Sequence, residues 1–153
     1  MTTTYAFPVS GDEFKGKRVL VTGGTKGMGQ AMVRRFTLSG ASVATTARSP
    51  LSDGQAVPLF VQTDIGTAAG VQDVISRIHQ EWGGLDILVN NVGGSDAQNG
   101  GYKALSDDDW QKALNVNLLA SVRLDRAFLP GMVERKSGVI LSHLVHPAPS
   151  AAI

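Results

Sequence analysis

A glycine-rich segment near the N-terminus constrains the fold more than any other feature of the 153-residue chain. It reads Thr22-Gly-Gly-Thr-Lys-Gly-Met-Gly29 and joins a short apolar run, 18–22, to residues 29–39, whose apolar positions recur at helical spacing. Glycine permits a tight turn and lets backbone N–H groups approach a ligand, and the following helix presents the positive end of its dipole. A strand, a phosphate-binding turn and a helix are therefore predicted in that order.

Strand-like and helix-like segments alternate along the rest of the chain. Further strands are predicted at 42–46, 57–62, 85–89 and 139–141, and further helices at 71–82 and from 106 to a break near Pro130-Gly131. This alternation is typical of βαβ units, so the predicted fold class is α/β with a doubly wound parallel sheet. Residues 1–16 are predicted to form an N-terminal arm, 17–141 the domain, and 142–153 an irregular tail.

Composition argues against several classes of function. The charges nearly balance, with 14 Lys and Arg against 13 Asp and Glu, so nothing favours nucleic acid or a membrane surface as a partner. The absence of cysteine excludes disulfides and a cysteine nucleophile, and no metal site is predicted. No apolar run approaches the roughly 18 residues that cross a bilayer. Since the N-terminus also lacks a secretory pattern, a cytoplasmic location is expected.

The glycine spacing by itself leaves two interpretations open. Gly23, Gly27 and Gly29 form G-x-x-x-G-x-G, which is neither the G-x-G-x-x-G dinucleotide fingerprint nor the G-x-x-x-x-G-K-[ST] phosphate loop. A turn between a strand and a helix binds a diphosphate in the first interpretation and is purely structural in the second.

Four features in one order make the chain resemble the short-chain dehydrogenase/reductase family. They are the glycine turn, Asp64-Ile65 after the third strand, Asn90-Asn-Val-Gly93 after the fourth, and Asn117 in the long helix. The resemblance covers roughly residues 14–141. It implies a Rossmann-like sheet of strand order 3-2-1-4-5, with a nicotinamide dinucleotide at the C-terminal edge of the strands.

The resemblance also implies which residues hold the dinucleotide. The turn would bind the phosphates, Asp64 would bond the adenine amino group, and Ile65 would touch the ring. Val92 stands where the family usually has alanine, and a small shift of the fold is expected to keep its two extra methyl groups from crowding the cofactor. For Asp64 the alternative is an N-cap of the next helix. The expected cofactor-binding residues are Gly23, Thr25, Lys26, Gly27, Met28, Gly29, Arg48, Asp64, Ile65, Asn91, Val92 and Gly93.

The end of the second strand predicts which dinucleotide binds. A chain built for NAD places Asp or Glu about 20 residues after the glycine turn, where it accepts hydrogen bonds from the ribose 2′-hydroxyl. This chain has Ala47-Arg48-Ser49 there, and a guanidinium pairs with a 2′-phosphate through its planar fork. Lys26 adds a second cation, as in the family's NADP-preferring members. NADP(H) is predicted over NAD(H), the alternative being two solvated surface cations.

Asn117 is predicted to point into the interior, on an apolar stripe with Ala113, Leu114, Leu118 and Val122. A buried amide without partners costs roughly 1–3 kcal/mol, so it should bond backbone or ordered water. On the residues alone it is either a satisfied core asparagine or a functional one. The resemblance implies a supporting role in catalysis, through the main chain of the neighbouring strand and a positioned water.

The family's catalytic serine and Tyr-x-x-x-Lys have no match in the chain. The tyrosines are Tyr5 and Tyr102, and four residues after them stand Val9 and Ser106 instead of lysine. We therefore expect the cofactor-binding portion of an NADP-dependent oxidoreductase acting on a small carbonyl or alcohol substrate, inactive by itself. The alternatives are a stand-alone dinucleotide-binding or regulatory module, and an interaction protein that keeps the fold with an empty pocket.

Residues 142–153 show no clear period and suggest an out-of-frame ending. Read one nucleotide out of phase, 143–153 can encode a stretch with serines near the family's serine position. We hypothesise that a frameshift truncated a longer reductase, removing the family's last strands and catalytic helix; the coding DNA downstream tests this. An uncovered fifth strand is then expected to promote self-association.

Overall fold

A five-stranded parallel sheet forms the centre of the computed structural model, which describes residues 10–52, 54, 57–94 and 102–143. The strand order is β3-β2-β1-β4-β5, so the predicted fold class and the strand order implied by the resemblance are confirmed. The strands are Arg18–Thr22 (β1), Ser42–Ala47 (β2), Leu59–Gln62 (β3), Ile87–Asn90 (β4) and Val139–Ser142 (β5).

The helices of the described part lie between these strands. They are Gly27–Leu38 (α1), Ala68–Trp82 (α2), Asp107–Leu114 (α3) and Ala120–Glu134 (α4). A 3-10 turn, Tyr102–Ala104, precedes α3, and a π-helical segment, Asn115–Leu119, joins α3 to α4. Helix α3 begins with a capping box, in which the Ser106 and Asp109 side chains each bond the other residue's backbone N–H.

The core has two layers because both faces of the sheet are covered. Leu20 of β1 points toward α2 and α4, where it packs with residues such as Ile78 and Leu124. Its neighbours Val19 and Val21 point the other way, into the layer under α1. A strand buried on both faces explains why β1 reads as a continuous apolar run.

The long helix turns a different face to the core from the one predicted. Its buried residues are Ala120, Leu124, Phe128 and Met132, which pack in the layer with α2. Leu114, Leu118 and Val122 of the predicted stripe are exposed, and so is Asn117. The prediction assumed a regular 3.6-residue period, whereas the π-helical segment adds residues to the turn and shifts the register of the faces. The prediction that Asn117 is buried is therefore wrong.

The end of the long helix also differs from the prediction. Helix α4 continues through Pro130 to Glu134 and does not break at Pro130-Gly131. Proline removes one helical N–H, but Pro130 is exposed, as is Arg126 four residues earlier, so the carbonyl that loses its partner can bond solvent. The next strand, β5, ends at Ser142, which pairs with Asn90 of β4. Residues 144–153, the rest of the predicted tail, lie outside the described residues.

An ion pair joins the two central strands at the N-terminal edge of the sheet. The guanidinium of Arg18 donates to both carboxylate oxygens of Asp86, at 2.9 and 2.7 Å, and to the carbonyl oxygen of Trp82 at 2.8 Å. The backbone N–H of Arg18 also donates to Asp86. The hydrogen bonds from Arg18 lower the pKa of Asp86 from 3.8 to about 2. This pair ties the start of β1 to the start of β4.

The described part of the N-terminal arm, 10–16, packs on the outside of α1. The N–H of Phe14 donates to the carbonyl oxygen of Ser39 at 2.8 Å. The rings of Phe14 and Phe36 meet edge to face, with their centroids 4.9 Å apart. Within the residues described, no helix has the length and apolar character needed to cross a membrane.

Candidate cofactor-binding site

A cleft of about 1240 Å³ opens at the C-terminal edge of the sheet. It lies where the strand order reverses, since the chain passes from β1 to β2 on one side and later returns to β4 on the other. Such a switch point is where ligands of open α/β sheets bind. Every residue of the predicted cofactor set lines this cleft except Gly27.

The glycine turn follows β1 and forms one wall of the cleft. Gly23 has φ +66° and Gly27 has φ +55°, a left-handed conformation that favours glycine. A Cβ at Gly29 would lie 2.3 Å from the carbonyl oxygen of Gly23 and 2.6 Å from Nδ2 of Asn91, so only glycine fits there. Helix α1 begins at Gly27 with no side-chain cap and no acidic residue in its first turn. Its positive end is therefore available to an anion, which fits the diphosphate of a dinucleotide.

The segment after β4 is held against the turn by hydrogen bonds to Thr22. The Thr22 hydroxyl accepts the N–H groups of Asn91 and Val92, at 2.9 and 3.0 Å, and donates to Val89 O. The Asn91 side chain donates to the carbonyl oxygen of Thr22 at 3.0 Å. The Val92 side chain packs against the core and lies close to Gly23. These contacts fix the floor of the cleft relative to the glycine turn.

Two cations line the same cleft. Lys26 is the N-cap residue of α1, and Arg48 directly follows β2; both side chains are exposed. The Gln62 side chain donates to the carbonyl oxygen of Arg48 at 3.2 Å, which holds the backbone there. The end of β2 thus contributes a guanidinium to the cleft and, from Ala47 to Ser49, no carboxylate.

The loop after β3 forms another part of the lining. Oδ1 of Asp64 accepts the N–H of Gly66 at 2.8 Å, and Ile65 is buried beside it. The N-cap of α2 is Thr67, whose hydroxyl accepts the N–H of Gly70, so the alternative role of Asp64 as the helix cap is wrong. Val116 lies across this loop, close to Gly66.

Asn117 bonds backbone as expected, although it is exposed. Its Oδ1 accepts the N–H of Gly94 at 2.9 Å, and its Nδ2 donates to the carbonyl oxygens of Gly94 and Ala113, at 2.8 and 2.9 Å. The amide therefore bridges the long helix and the segment that follows β4. Asn117 does not itself line the cleft.

Several residues of the cleft were not predicted. Val116, which directly precedes Asn117, and Ala113, a residue of the predicted apolar stripe, both line it. Other lining residues outside the predicted set include Thr46, Asp109, Lys112 and His143. Residues 95–101, between β4 and the 3-10 turn, lie outside the described residues. Within the described part, no three histidine or acidic side chains are grouped so as to hold a metal ion.

A parallel sheet of this strand order, with a glycine turn and a cleft at its switch point, defines a Rossmann-like fold. The family model described as short chain dehydrogenase matches residues 17–143. The chain belongs to the short-chain dehydrogenase family.

Curated relatives match most of the chain. The NADP-dependent 3-hydroxy acid dehydrogenase YdfG of Escherichia coli K12 is 37% identical over 130 residues, covering 81% of this chain and 52% of that protein. A short chain dehydrogenase of Pseudocercospora fijiensis is 38% identical over 141 residues, covering 85% of this chain and 45% of the relative. The chain spans about half the length of the curated relatives it matches.

Solved structures agree with the fold. L-sorbose reductase from Gluconobacter frateurii, in complex with NADPH and L-sorbose, superposes with a TM-score of 0.76 at 32% identity, covering 86% of this chain and 53% of that one. The aldohexose dehydrogenase of Thermoplasma acidophilum has a TM-score of 0.74 at 26% identity, covering 86% of this chain and 50% of that one.

Proposed function

We propose that the cleft binds NADP(H) and that the chain is the cofactor-binding part of an oxidoreductase that transfers hydride between NADP(H) and a small carbonyl or alcohol substrate. The presence of Lys26 and Arg48 in the same cleft as the glycine turn carries this proposal. NADPH in the complex of L-sorbose reductase and the NADP dependence of YdfG support the choice of cofactor.

Each part of the cleft has a role in this proposal. The turn and the N-terminus of α1 bind the diphosphate, and Arg48 and Lys26 bind the 2′-phosphate. Asp64 and Ile65 hold the adenine, with Val116 on the opposite side. Asn91, Val92 and Gly93 line the adenosine ribose and the floor. When bound, the cofactor supplies or accepts the hydride at its nicotinamide.

Asn117 has a supporting role in the proposal, through its contacts with main chain. Its amide holds Gly94 from both sides, donating to the carbonyl and accepting from the N–H. Replacing it with aspartate removes the donor, whereas alanine removes both bonds. We expect either change to loosen the segment after β4 and to weaken cofactor binding without altering the preference between NADPH and NADH.

A binding-only role is the second candidate, and the sequence favours it for the chain by itself. Neither Tyr5 nor Tyr102 is followed four residues later by lysine, so the Tyr-x-x-x-Lys proton donor of the family is absent from these residues. We expect the chain to bind NADP(H) without reducing carbonyl compounds. Turnover of a panel of ketones and aldehydes with NADPH tests this, and measurable activity would contradict it.

Calorimetric titration with NADPH and NADH tests the choice of cofactor. We expect NADPH to bind at least tenfold more tightly than NADH, which corresponds to a difference in binding free energy of about 1.4 kcal/mol. Arg48→Ala should lower that ratio about tenfold, because it removes a charged partner of the 2′-phosphate. Arg34→Ala is the matched control, since Arg34 is an exposed arginine of α1 that does not line the cleft. Equal affinities for the two cofactors, or an unchanged ratio in Arg48→Ala, would refute the assignment.

We also propose that the chain self-associates in the cytoplasm. Large apolar side chains are exposed along the long helix and on β5, which is an edge strand of the described sheet. They are Trp110, Leu114, Leu118, Val122, Leu129, Val133, Val139 and Leu141. Exposed large apolar side chains in such numbers favour an interface or a site of aggregation. Sedimentation should find oligomers that Leu118→Lys weakens; a clean monomer at micromolar concentration would contradict this.

A further inference from the structure

We propose that Thr45, in the middle of β2, is a positioning residue for the cofactor diphosphate and acts through the backbone of Gly24. The proposal rests on the proposed function, because it concerns how the same glycine turn is held. Thr45 is fully buried and does not line the cleft, so it cannot touch a ligand there. Any effect on binding must therefore pass through the residues that it contacts.

The Thr45 hydroxyl bonds two backbone groups at once. It donates to the carbonyl oxygen of Val21 at 2.6 Å and accepts the N–H of Gly24 at 2.8 Å. A hydroxyl has one proton, so donation to Val21 leaves only its lone pairs for Gly24. The side chain thus connects the end of β1 to the second glycine of the turn.

Gly24 and Thr45 fit each other closely. A Cβ at Gly24 would lie 2.2 Å from the Thr45 hydroxyl oxygen and 2.5 Å from a methyl group of Val33. Only glycine therefore lets the backbone N–H approach the hydroxyl. The preceding N–H, of Gly23, donates to the carbonyl oxygen of Thr46 at 3.0 Å.

Strand β2 therefore holds two successive N–H groups of the turn, one by its backbone and one by a side chain. With Gly23 and Gly24 held, the backbone of Thr25 and Lys26 is fixed on the wall of the cleft. Backbone N–H groups bind a phosphate only when they point toward the same place. A turn that already has this conformation avoids the entropic cost of becoming ordered when the ligand binds. Valine at position 45 keeps the shape but leaves the Gly24 N–H buried without an acceptor, so the turn must rearrange.

The test compares Thr45→Val and Thr45→Ser with the unmodified chain, using NADPH, ADP and adenosine 2′-monophosphate as ligands. ADP carries a diphosphate, whereas adenosine 2′-monophosphate carries only the phosphate assigned to Arg48 and Lys26. We expect Thr45→Val to raise the Kd for NADPH and the Kd for ADP about tenfold. The Kd for adenosine 2′-monophosphate should rise by less than twofold. Thr45→Ser retains the hydroxyl, so its Kd for every ligand should stay within twofold of that of the unmodified chain.

Ser39→Ala controls for a general loss of stability. Ser39 is also fully buried and its hydroxyl accepts from Arg35, far from the turn. This variant should leave the ratio of the ADP and adenosine 2′-monophosphate affinities unchanged. If Thr45→Val weakened the binding of ADP and of adenosine 2′-monophosphate equally, Thr45 would have only a structural role and the inference would be overturned.

The remaining outcomes separate the two proposals. If the unmodified chain fails to bind NADPH, the proposed function fails. If it binds and Thr45→Val binds equally well, the function stands and the inference about Thr45 is wrong. If Thr45→Val does not fold, hydrogen exchange on the unmodified chain decides: the Gly24 amide must exchange slowly and be protected further by ADP but not by adenosine 2′-monophosphate. Fast exchange, or equal protection by both ligands, overturns the inference.

Discussion

Replacing Asp86 with asparagine tests the energetics of the ion pair at the N-terminal edge of the sheet. Asparagine has nearly the same shape but cannot accept both hydrogen bonds from the Arg18 guanidinium as a carboxylate does. The Asp86 side chain is only 18% exposed, so solvent screens the pair weakly. The change should therefore lower the free energy of unfolding much more than the loss of a surface pair.

The size of the effect follows from the pKa of Asp86. Folding lowers this pKa from 3.8 to about 2. One pKa unit corresponds to about 1.4 kcal/mol, so the folded state favours the ionised carboxylate by about 2 kcal/mol. Because the folded pKa is the lower one, this stabilisation is fully present above pH 4 and is lost as the pH falls toward 2. Asp86→Asn should thus cost about 2 kcal/mol at pH 7 and progressively less below pH 4.

Urea unfolding followed by tryptophan fluorescence measures this difference, at pH 7 and in steps down to pH 2.5. Trp82 is a suitable reporter because its partly buried side chain packs against the core and becomes exposed on unfolding. Asp12→Asn is the control: Asp12 pairs with Lys15 at 3.7 Å but is 80% exposed, so its loss should change the free energy of unfolding by less than about 0.5 kcal/mol. A cost for Asp86→Asn that is the same at pH 7 and pH 3 would refute the reasoning.

Three further substitutions test the cleft, a cap and the core. Gly29→Ala should abolish NADPH binding in calorimetry, because the added Cβ would lie 2.3 Å from Gly23 O; unchanged affinity would mean that the turn does not bind the diphosphate. Thr67→Ala removes the acceptor for the Gly70 N–H at the start of α2 and should cost about 1 kcal/mol in urea unfolding, with glycine at 67 costing less. Leu124→Ala, at a fully buried position between α4 and the sheet, should cost about 2–5 kcal/mol, and a cost below 1 would show that the site is poorly packed.

The local signals of the sequence predicted the strands and helices well. The apolar run of β1, the 3.6-residue spacing of Val71, Val74 and Ile78 in α2, and the Ser106 capping box each act over a few residues, so they can be seen without the fold. Most residues that the resemblance assigned to the cofactor do line one cleft, since they follow strand ends, and the ends of parallel strands meet at one edge of the sheet. Family resemblance supplied the order of the strands, which no local pattern contains.

The errors came from features that depend on more than local periodicity. Asn117 was predicted to be buried because a regular helix was assumed, and the π-helical turn changed which face meets the core. The roles of Thr22 and Thr45 were missed because a threonine in a strand reads as a β-branched residue, and only its neighbours show where the hydroxyl points.

The sequence by itself determined the alternation of elements, the glycine turn and the presence of the two cations, Lys26 and Arg48, that we propose select the cofactor. These properties follow from short-range sterics and from which residue types occur at strand ends. Only the tertiary structure decided which face of the long helix is buried and which hydroxyls hold the turn. It also joined Arg18 to Asp86, residues distant in the chain. Such contacts arise when the sheet brings distant segments within hydrogen-bond distance, a condition that no local pattern encodes.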